Sequence, residues 1–328
     1  MDDINQLKFL EISEGQDFTK CSEQITKLTN RSADDLFYLL YKNKKSRSFC
    51  IMNDDEIVGF QGFVYKPIIY KERIVPSYRS EFTIAKPELH GTGVFTRFYK
   101  YTMDSIIQYC KEVYFWGETR HRGWKNFGFK IIKRYTFYQI FSKSFKSKVG
   151  KPEIINNTAV NILSVLFSII NPFRYLMKRN IKIAGKITYD QFKAYALNSN
   201  NFKLQLYMDE ESFKWRYLEN KFHKYLFLTY RESLIIVWEK GSEAILADIY
   251  TKSTAQYMIL ISYLLRKYMT VIVHGNYYAF YKTPYFWGNL LMGFIPFIGG
   301  GSFVECNLNA PIISWKDIPL LESWEFGV

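Results

Sequence analysis

The stretch Glu81-Phe82-Thr83-Ile84-Ala85-Lys86-Pro87-Glu88-Leu89-His90-Gly91-Thr92-Gly93-Val94-Phe95 reads as a β-strand that runs through a glycine turn straight into a helix. Glycine at 91 and 93 lets the backbone come close to a ligand, because neither position carries a Cβ. The first N–H groups of a helix have no intrahelical acceptor and point outward, where they can hold a phosphate. The expectation is a phosphorylated ligand gripped at this turn.

Working outward, the preceding residues predict a hairpin, with strands at Ser48 to Met52 and Glu56 to Tyr65 about the turn Asn53-Asp54-Asp55. A third strand is expected at Ser80 to Ala85 and a helix at Thr92 to Glu112, with Phe95, Phe98, Thr102, Ile106 and Cys110 on one face. A strand at Val113 to Gly117 follows, expected parallel to the third because a helix is the usual crossover. Phe127 to Phe141 supplies one or two more strands. The second half repeats the order: strands at Tyr225 to Tyr230, Leu234 to Glu239 and Ala244 to Tyr250, a helix at Thr254 to Tyr268 and a strand at Thr270 to His274.

A duplicated α/β unit explains both length and pattern. It divides the chain into residues 1–148, a helical linker 149–184 and a second unit 185–328. Between Ile249 and the second helix stand Tyr250-Thr251-Lys252-Ser253-Thr254, without glycine, so the second copy reads as degenerate, its phosphate cradle lost. Ile154 to Met177 is apolar but broken by asparagines, Pro172 and Arg174, too short a clean run for a bilayer span of about 20 residues. Tyr285 to Ile298 reads as core or a pocket lid.

The 328 residues suffice for two cores, and 48% hydrophobic with 23% charged residues fits a globular chain. An aromatic share of 19% puts ring packing inside. The four cysteines and four histidines are scattered, so neither a disulfide framework nor a metal site is expected, and a cytoplasmic location without a secretion signal fits. The net charge of +13 is uneven: Lys111 to Gly150 holds ten Lys or Arg against Glu112 and Glu118. That segment reads either as a solvated face or as a rim for a nucleotide phosphate, an anionic sugar carrier or an acidic membrane surface. No helix-turn-helix, zinc-finger or RNA-binding signature points to nucleic acid.

Pro87-Glu88-Leu89-His90-Gly91-Thr92-Gly93-Val94, placed between strand and helix, resembles the acyl-CoA signature Pro-x-x-Arg-Gly-x-Gly of the GNAT superfamily of N-acyltransferases. Asn126-Phe127-Gly128-Phe129 resembles the Gly-Phe of that family's last helix-to-strand turn. Lys214-Trp215-Arg216-Tyr217-Leu218-Glu219-Asn220 resembles a segment of two-domain members encoded among cell-surface polysaccharide genes. The resemblance implies two GNAT-like domains, each a mixed, centrally splayed sheet flanked by helices, the second degenerate. It implies acetyl-CoA or another acyl-CoA as co-substrate, no metal, and an amine-bearing acceptor, foremost an amino sugar on a nucleotide or lipid carrier, with contact at the inner membrane face.

Carried over by position, the backbone of Gly91, Thr92, Gly93 and Val94 would hold the CoA pyrophosphate. Ile84 and Ala85 would splay from Phe115 and Trp116 to expose an edge for the pantetheine arm. His90 and Phe95 depart from the family's Arg or Gln and its small residue: His90 offers fewer donors and a bulky Phe95 narrows the approach to phosphate. Glu81 is a candidate base acting through water, or else an exposed or ion-paired strand residue. Glu118 and His121 are secondary candidates or solvated loop residues, and Trp124 stands where a proton-donating tyrosine is usual. Trp215, Arg216 and Tyr217 read as a structural anchor or as residues facing a cleft. Two rival readings follow from the same resemblance: a Fem-type ligase using aminoacyl-tRNA, and a non-catalytic CoA-binding or scaffold protein.

Overall fold

A computed structural model describes residues 6–12, 16–70, 73–119, 122–141, 180–198, 204–268, 270–275 and 295–308. The chain opens with strand β1 (Lys8–Ile12), helices α1 (Gln16–Thr29) and α2 (Ala33–Leu40), and strands β2 (Arg47–Asn53) and β3 (Glu56–Tyr65). Short strands β4 (Ile68–Tyr70) and β5 (Arg73–Val75) precede β6 (Ser77–Ala85), α3 (Val94–Tyr109), β7 (Val113–Thr119) and β8 (Lys130–Phe141). Then come β9 (Lys182–Ala184), α4 (Tyr189–Asn198), β10 (Leu204–Leu206), α5 (Glu210–Phe213), β11 (Lys224–Tyr230), β12 (Ser233–Lys240) and β13 (Glu243–Tyr250). Helix α6 (Thr254–Lys267) and strands β14 (Thr270–Gly275) and β15 (Ile295–Leu308) complete the described elements.

Two compact units result, one of residues 1–133, 203–212 and 301–314, the other of 134–202, 213–300 and 315–328. In the first, β1, β2, β3 and β6 pair antiparallel in that order, and β7 adds parallel to β6. The expected hairpin closes at Asp54, whose φ of +50° a short polar side chain tolerates. Residues 302–308 of β15 then pair antiparallel with β7. That pairing was not expected, and β15 runs through Gly299-Gly300-Gly301, where sheet context overrides the low strand propensity of glycine. The segment 285–298, expected as core or a pocket lid, lies outside the described residues up to 294, and from Ile295 it is strand.

Helix α3 covers one face because Val94, Phe98, Thr102 and Ile106 recur every fourth residue and all are buried, alongside Tyr99 and Met103. They meet Phe49, Ile51, Phe63, Tyr78 and Phe115 from the strands, each such side chain worth about 1.5–3 kcal/mol on burial. The opposite face lies under α1 and α2, which bury Ile25, Leu36 and Leu40. Gly62 on β3 makes room for α2: a Cβ there would stand 2.9 Å from Leu40 Cδ2.

The second unit repeats the expected order of hairpin, strand, helix and strand. Strands β9, β11, β12 and β13 are antiparallel neighbours, β14 is parallel to β13, and β8 closes antiparallel on β14. Helix α6 packs Tyr257, Leu260, Ile261 and Leu264 on Leu226, Leu228, Ile235, Val237 and Leu246. The other face carries aromatic contacts, Phe192 with Phe213 and Tyr250, and Phe213 with Phe227. The linker helix expected at Ile154 to Met177 lies outside the described residues. Among the described residues, no helix is long and apolar enough to cross a membrane.

Candidate functional site

The turn after β6 is built as a cradle. Pro87–Leu89 forms one 3-10 turn, and Gly91 and Gly93 both adopt φ +77°, the left-handed region that glycine enters without strain. Helix α3 begins only at Val94, two residues later than expected, because Gly93 serves as its N-cap and brings no capping side chain. Thr92 and Val94 N–H engage in long bonds of 3.4 Å to the Leu89 carbonyl and 3.3 Å to Thr92 Oγ1. The N–H groups of Gly91 and Gly93 have no partner among the described residues. A Cβ added at either glycine would meet nothing within 4 Å, so the turn is open to solvent. Unpartnered donors in an exposed turn at the positive end of a helix dipole suit a diphosphate.

His90 and Phe95 do not crowd this cradle. The His90 ring turns back to the strand, its Nε2 donating to the Ala85 carbonyl at 3.2 Å, since a carbonyl can only accept. The Phe95 ring packs on Phe98, Tyr99 and Phe127, so the narrowing expected from its bulk is absent. Gly128, in the Gly-Phe turn, takes φ +83° and donates to the Lys125 carbonyl.

Beside the cradle the two parallel strands part. Strand β6 pairs with β7 only at Ser77, Tyr78 and Arg79, opposite Tyr114, Phe115 and Trp116. Phe115 and Trp116 therefore face Tyr78 and Arg79, the last paired residue of β6 is Arg79, and Ile84 and Ala85 lie beyond the pairing. The cause is a bulge. Register on β3 shifts between Phe60 and Gly62, which face Ile84 and Glu81, so Phe82 and Thr83 together oppose Gln61. An inserted residue bends and twists its strand. Phe82 reaches φ +53° to make the bend, a conformation costing a bulky residue about 1–2 kcal/mol. Ile84 and Ala85 thus lie on the β6 segment unpaired to β7, as an exposed-edge site requires.

Glu81 stands at the fork, two residues beyond the last paired position, its side chain 13% exposed. Arg79 Nε lies 2.8 Å from Glu81 Oε1, and the same guanidinium sits 5.5 Å above the Trp116 ring. Trp116 in turn donates to Ser77 Oγ at 3.2 Å. Glu118 is on β7 opposite Phe303 of β15, His121 lies outside the described residues, and Trp124 falls in the 3-10 turn Arg122–Phe127. Sequence reasoning missed Gln61, fully buried across from the bulge, and Arg79. Only an apolar strand interrupted by one glutamine hinted at the former.

The second unit has the same fork and a different filling. Parallel pairing of β13 with β14 stops at Leu246, and a register shift at Ile236/Val237 leaves Ala247 as the extra residue. Asp248 follows, two residues beyond the last pair, 3.1 Å from the buried Arg216 and hydrogen-bonded by the Tyr217 hydroxyl. Arg216 and Tyr217 come from a π-helical turn, Lys214–Leu218. At the start of α6, Ser253 accepts from Gln256 N–H at 3.3 Å, so a side chain occupies the cap that glycine leaves open in the first unit. Metal-ligating clusters are absent among the described residues.

No protein-family model and no curated protein matches the chain. Solved structures do. A probable N-acyltransferase of Enterococcus faecalis V583 superposes with TM-score 0.63 at 8% identity, over 92% of this chain and 73% of that one. A GCN5-related N-acetyltransferase of Kribbella flavida gives 0.62 at 13% identity, over 93% and 73%. Another, of Anabaena variabilis, gives 0.54 at 10% identity, over 92% and 73%. The chain has the GCN5-related N-acetyltransferase fold, a splayed mixed sheet flanked by helices.

Proposed function

We propose that the chain is an N-acyltransferase that takes its acyl group from acetyl-CoA or another acyl-CoA. The observation that carries this reading is the open glycine cradle at the end of a strand that forks from its parallel neighbour. The residues present fit the co-substrate: N–H groups of Gly91 to Val94 for the pyrophosphate, and the unpaired Ile84–Ala85 edge for the pantetheine amides. Bound acyl-CoA supplies an activated thioester acyl group. Glu81 moves the proton of the acceptor ammonium through a water on Oε2, since Oε1 faces Arg79. The favoured acceptor is an amino sugar of a cell-surface polysaccharide or glycolipid precursor, nucleotide- or lipid-linked, in the cytoplasm. The capped α6 and the filled fork support reading the second unit as a degenerate copy without a donor site, with residues 1–148 and 185–328 as the two copies.

Thiol release from acetyl-CoA, followed across a panel of free and nucleotide-linked amino sugars, tests the proposal. Release that depends on one of these amines is expected. Activity that needs charged tRNA and ignores acyl-CoA would transfer the chain to the aminoacyl ligases, and CoA binding with no release on any amine would make it a binding protein.

A further inference from the structure

The bulge that opens the fork is held by a closed ring of side chains, and the ring decides its conformation. Gln61 is fully buried, and Thr83 Oγ1 donates to its Oε1 at 2.6 Å. A hydroxyl whose proton is committed can only accept from its next neighbour, so Ser80 Oγ donates to Thr83 Oγ1 at 3.0 Å. Ser80 Oγ then accepts from Gln61 Nε2, also at 3.0 Å, which closes the cycle. The same Nε2 lies 2.6 Å from the Gly62 carbonyl and 3.2 Å from the Glu81 carbonyl. Every hydroxyl in the ring both gives and takes, the arrangement in which hydrogen bonds polarise and strengthen one another.

The ring encloses the strained residue. Ser80 and Thr83 flank Glu81 and Phe82, so fixing both to one glutamine holds Phe82 at φ +53° and fixes the direction in which Ile84 and Ala85 leave the sheet. Without the ring, an extended Phe82 would let β6 straighten and continue its pairing toward β7.

We propose that Gln61 is a positioning residue for the acyl donor, holding through Ser80 and Thr83 the bulge that keeps the strand edge at Ile84–Ala85 open and sets Glu81 at the fork. This rests on the acyl-CoA reading above. It predicts a specific rescue: where the ring is broken, replacing Phe82 by glycine removes the strain that the ring holds, and donor binding returns.

The test is calorimetric titration of CoA into the native chain, Thr83→Val, Gln61→Met and Gln61→Met/Phe82→Gly, each checked for folding by circular dichroism. Thr83→Val keeps shape and deletes two of the three ring bonds, those to Gln61 and Ser80, so it serves if Gln61→Met does not fold. The expected result is about five- to ten-fold weaker CoA binding for each ring variant, with most of it regained in the double variant. Thr83→Val that unfolds more readily yet binds CoA like the native chain would show a ring that serves stability alone and overturn the inference. Weakened binding that Phe82→Gly fails to restore would overturn it too. A native chain that binds no CoA overturns the cofactor reading and this inference with it, an outcome distinct from the other two.

Discussion

Glu81 and Asp248 occupy the same step of their strands, each two residues past the last parallel pair and each beside an arginine. Their surroundings separate their roles. The two are almost equally buried, but Asp248 has two partners, Arg216 and the Tyr217 hydroxyl, while Glu81 meets Arg79 through one oxygen. Glu81→Gln keeps shape and packing, so it should lower kcat about 100-fold or more while leaving CoA affinity unchanged, a split that steady-state kinetics and calorimetry resolve together. Arg216→Met should instead act on stability. It leaves the Asp248 carboxylate, 12% exposed, with the Tyr217 hydroxyl but without its cation, at a cost of about 3 kcal/mol in urea unfolding, much of which Arg216→Met/Asp248→Leu should recover. Of these four residues, the family resemblance had singled out Glu81 and Arg216. Arg79 and Asp248 were not, because their significance lies in where parallel pairing ends, and register across a crossover leaves no local trace.

At the scale of elements, the two crossover helices start by opposite devices. Gly93 leaves the first turn of α3 open to an anion, whereas Ser253 closes that of α6 with its own hydroxyl. Ser253→Ala should therefore destabilise the chain by about 1 kcal/mol in chemical unfolding without altering CoA binding. Strand β12 is tied to α6 and to the residue beyond it by Glu239, which meets Lys224, Tyr268 and Lys267. Hydrogen bonding from Lys224, then from Tyr268, holds its carboxyl down at about 2 from an ordinary 4.5, and burial pushes the Tyr268 hydroxyl up to about 12. A carboxyl depressed in the folded state adds stability above its unfolded pKa and loses it as pH falls toward the folded one. The melting temperature of the native chain should accordingly exceed that of Glu239→Gln by a margin that is constant above about pH 5.5 and shrinks between pH 4.5 and 2. Hairpins, the glycine turn and both helices were legible, because turn chemistry and periodicity are local. The bulge was hidden, because Phe82 in a left-handed conformation is dictated by Gln61, twenty-one residues away.

For the whole molecule, sequence order and spatial grouping differ. Strand β8, from the first half, closes antiparallel on β14 of the second unit, and residues 302–308, near the end of the sequence, pair with β7 of the first. The repeated order of elements predicts two units, but it cannot reveal this exchange, since an edge strand accepts any partner that offers matching hydrogen bonds. The strand that carries Glu118 is therefore flanked by β6 on one side and by β15 on the other, with the fork opening toward the cradle. Acyl transfer from CoA stands or falls on whether that cradle holds CoA. Calorimetric titration of CoA into the native chain and into Gly93→Asp is the most direct measurement, because aspartate adds a negative charge at the phosphate position and a side chain at φ +77° while meeting no neighbour. Binding by the native chain and its loss, by at least ten-fold, in a folded Gly93→Asp variant is the predicted result. Equal affinity in the two proteins, or none in the native chain, would contradict it.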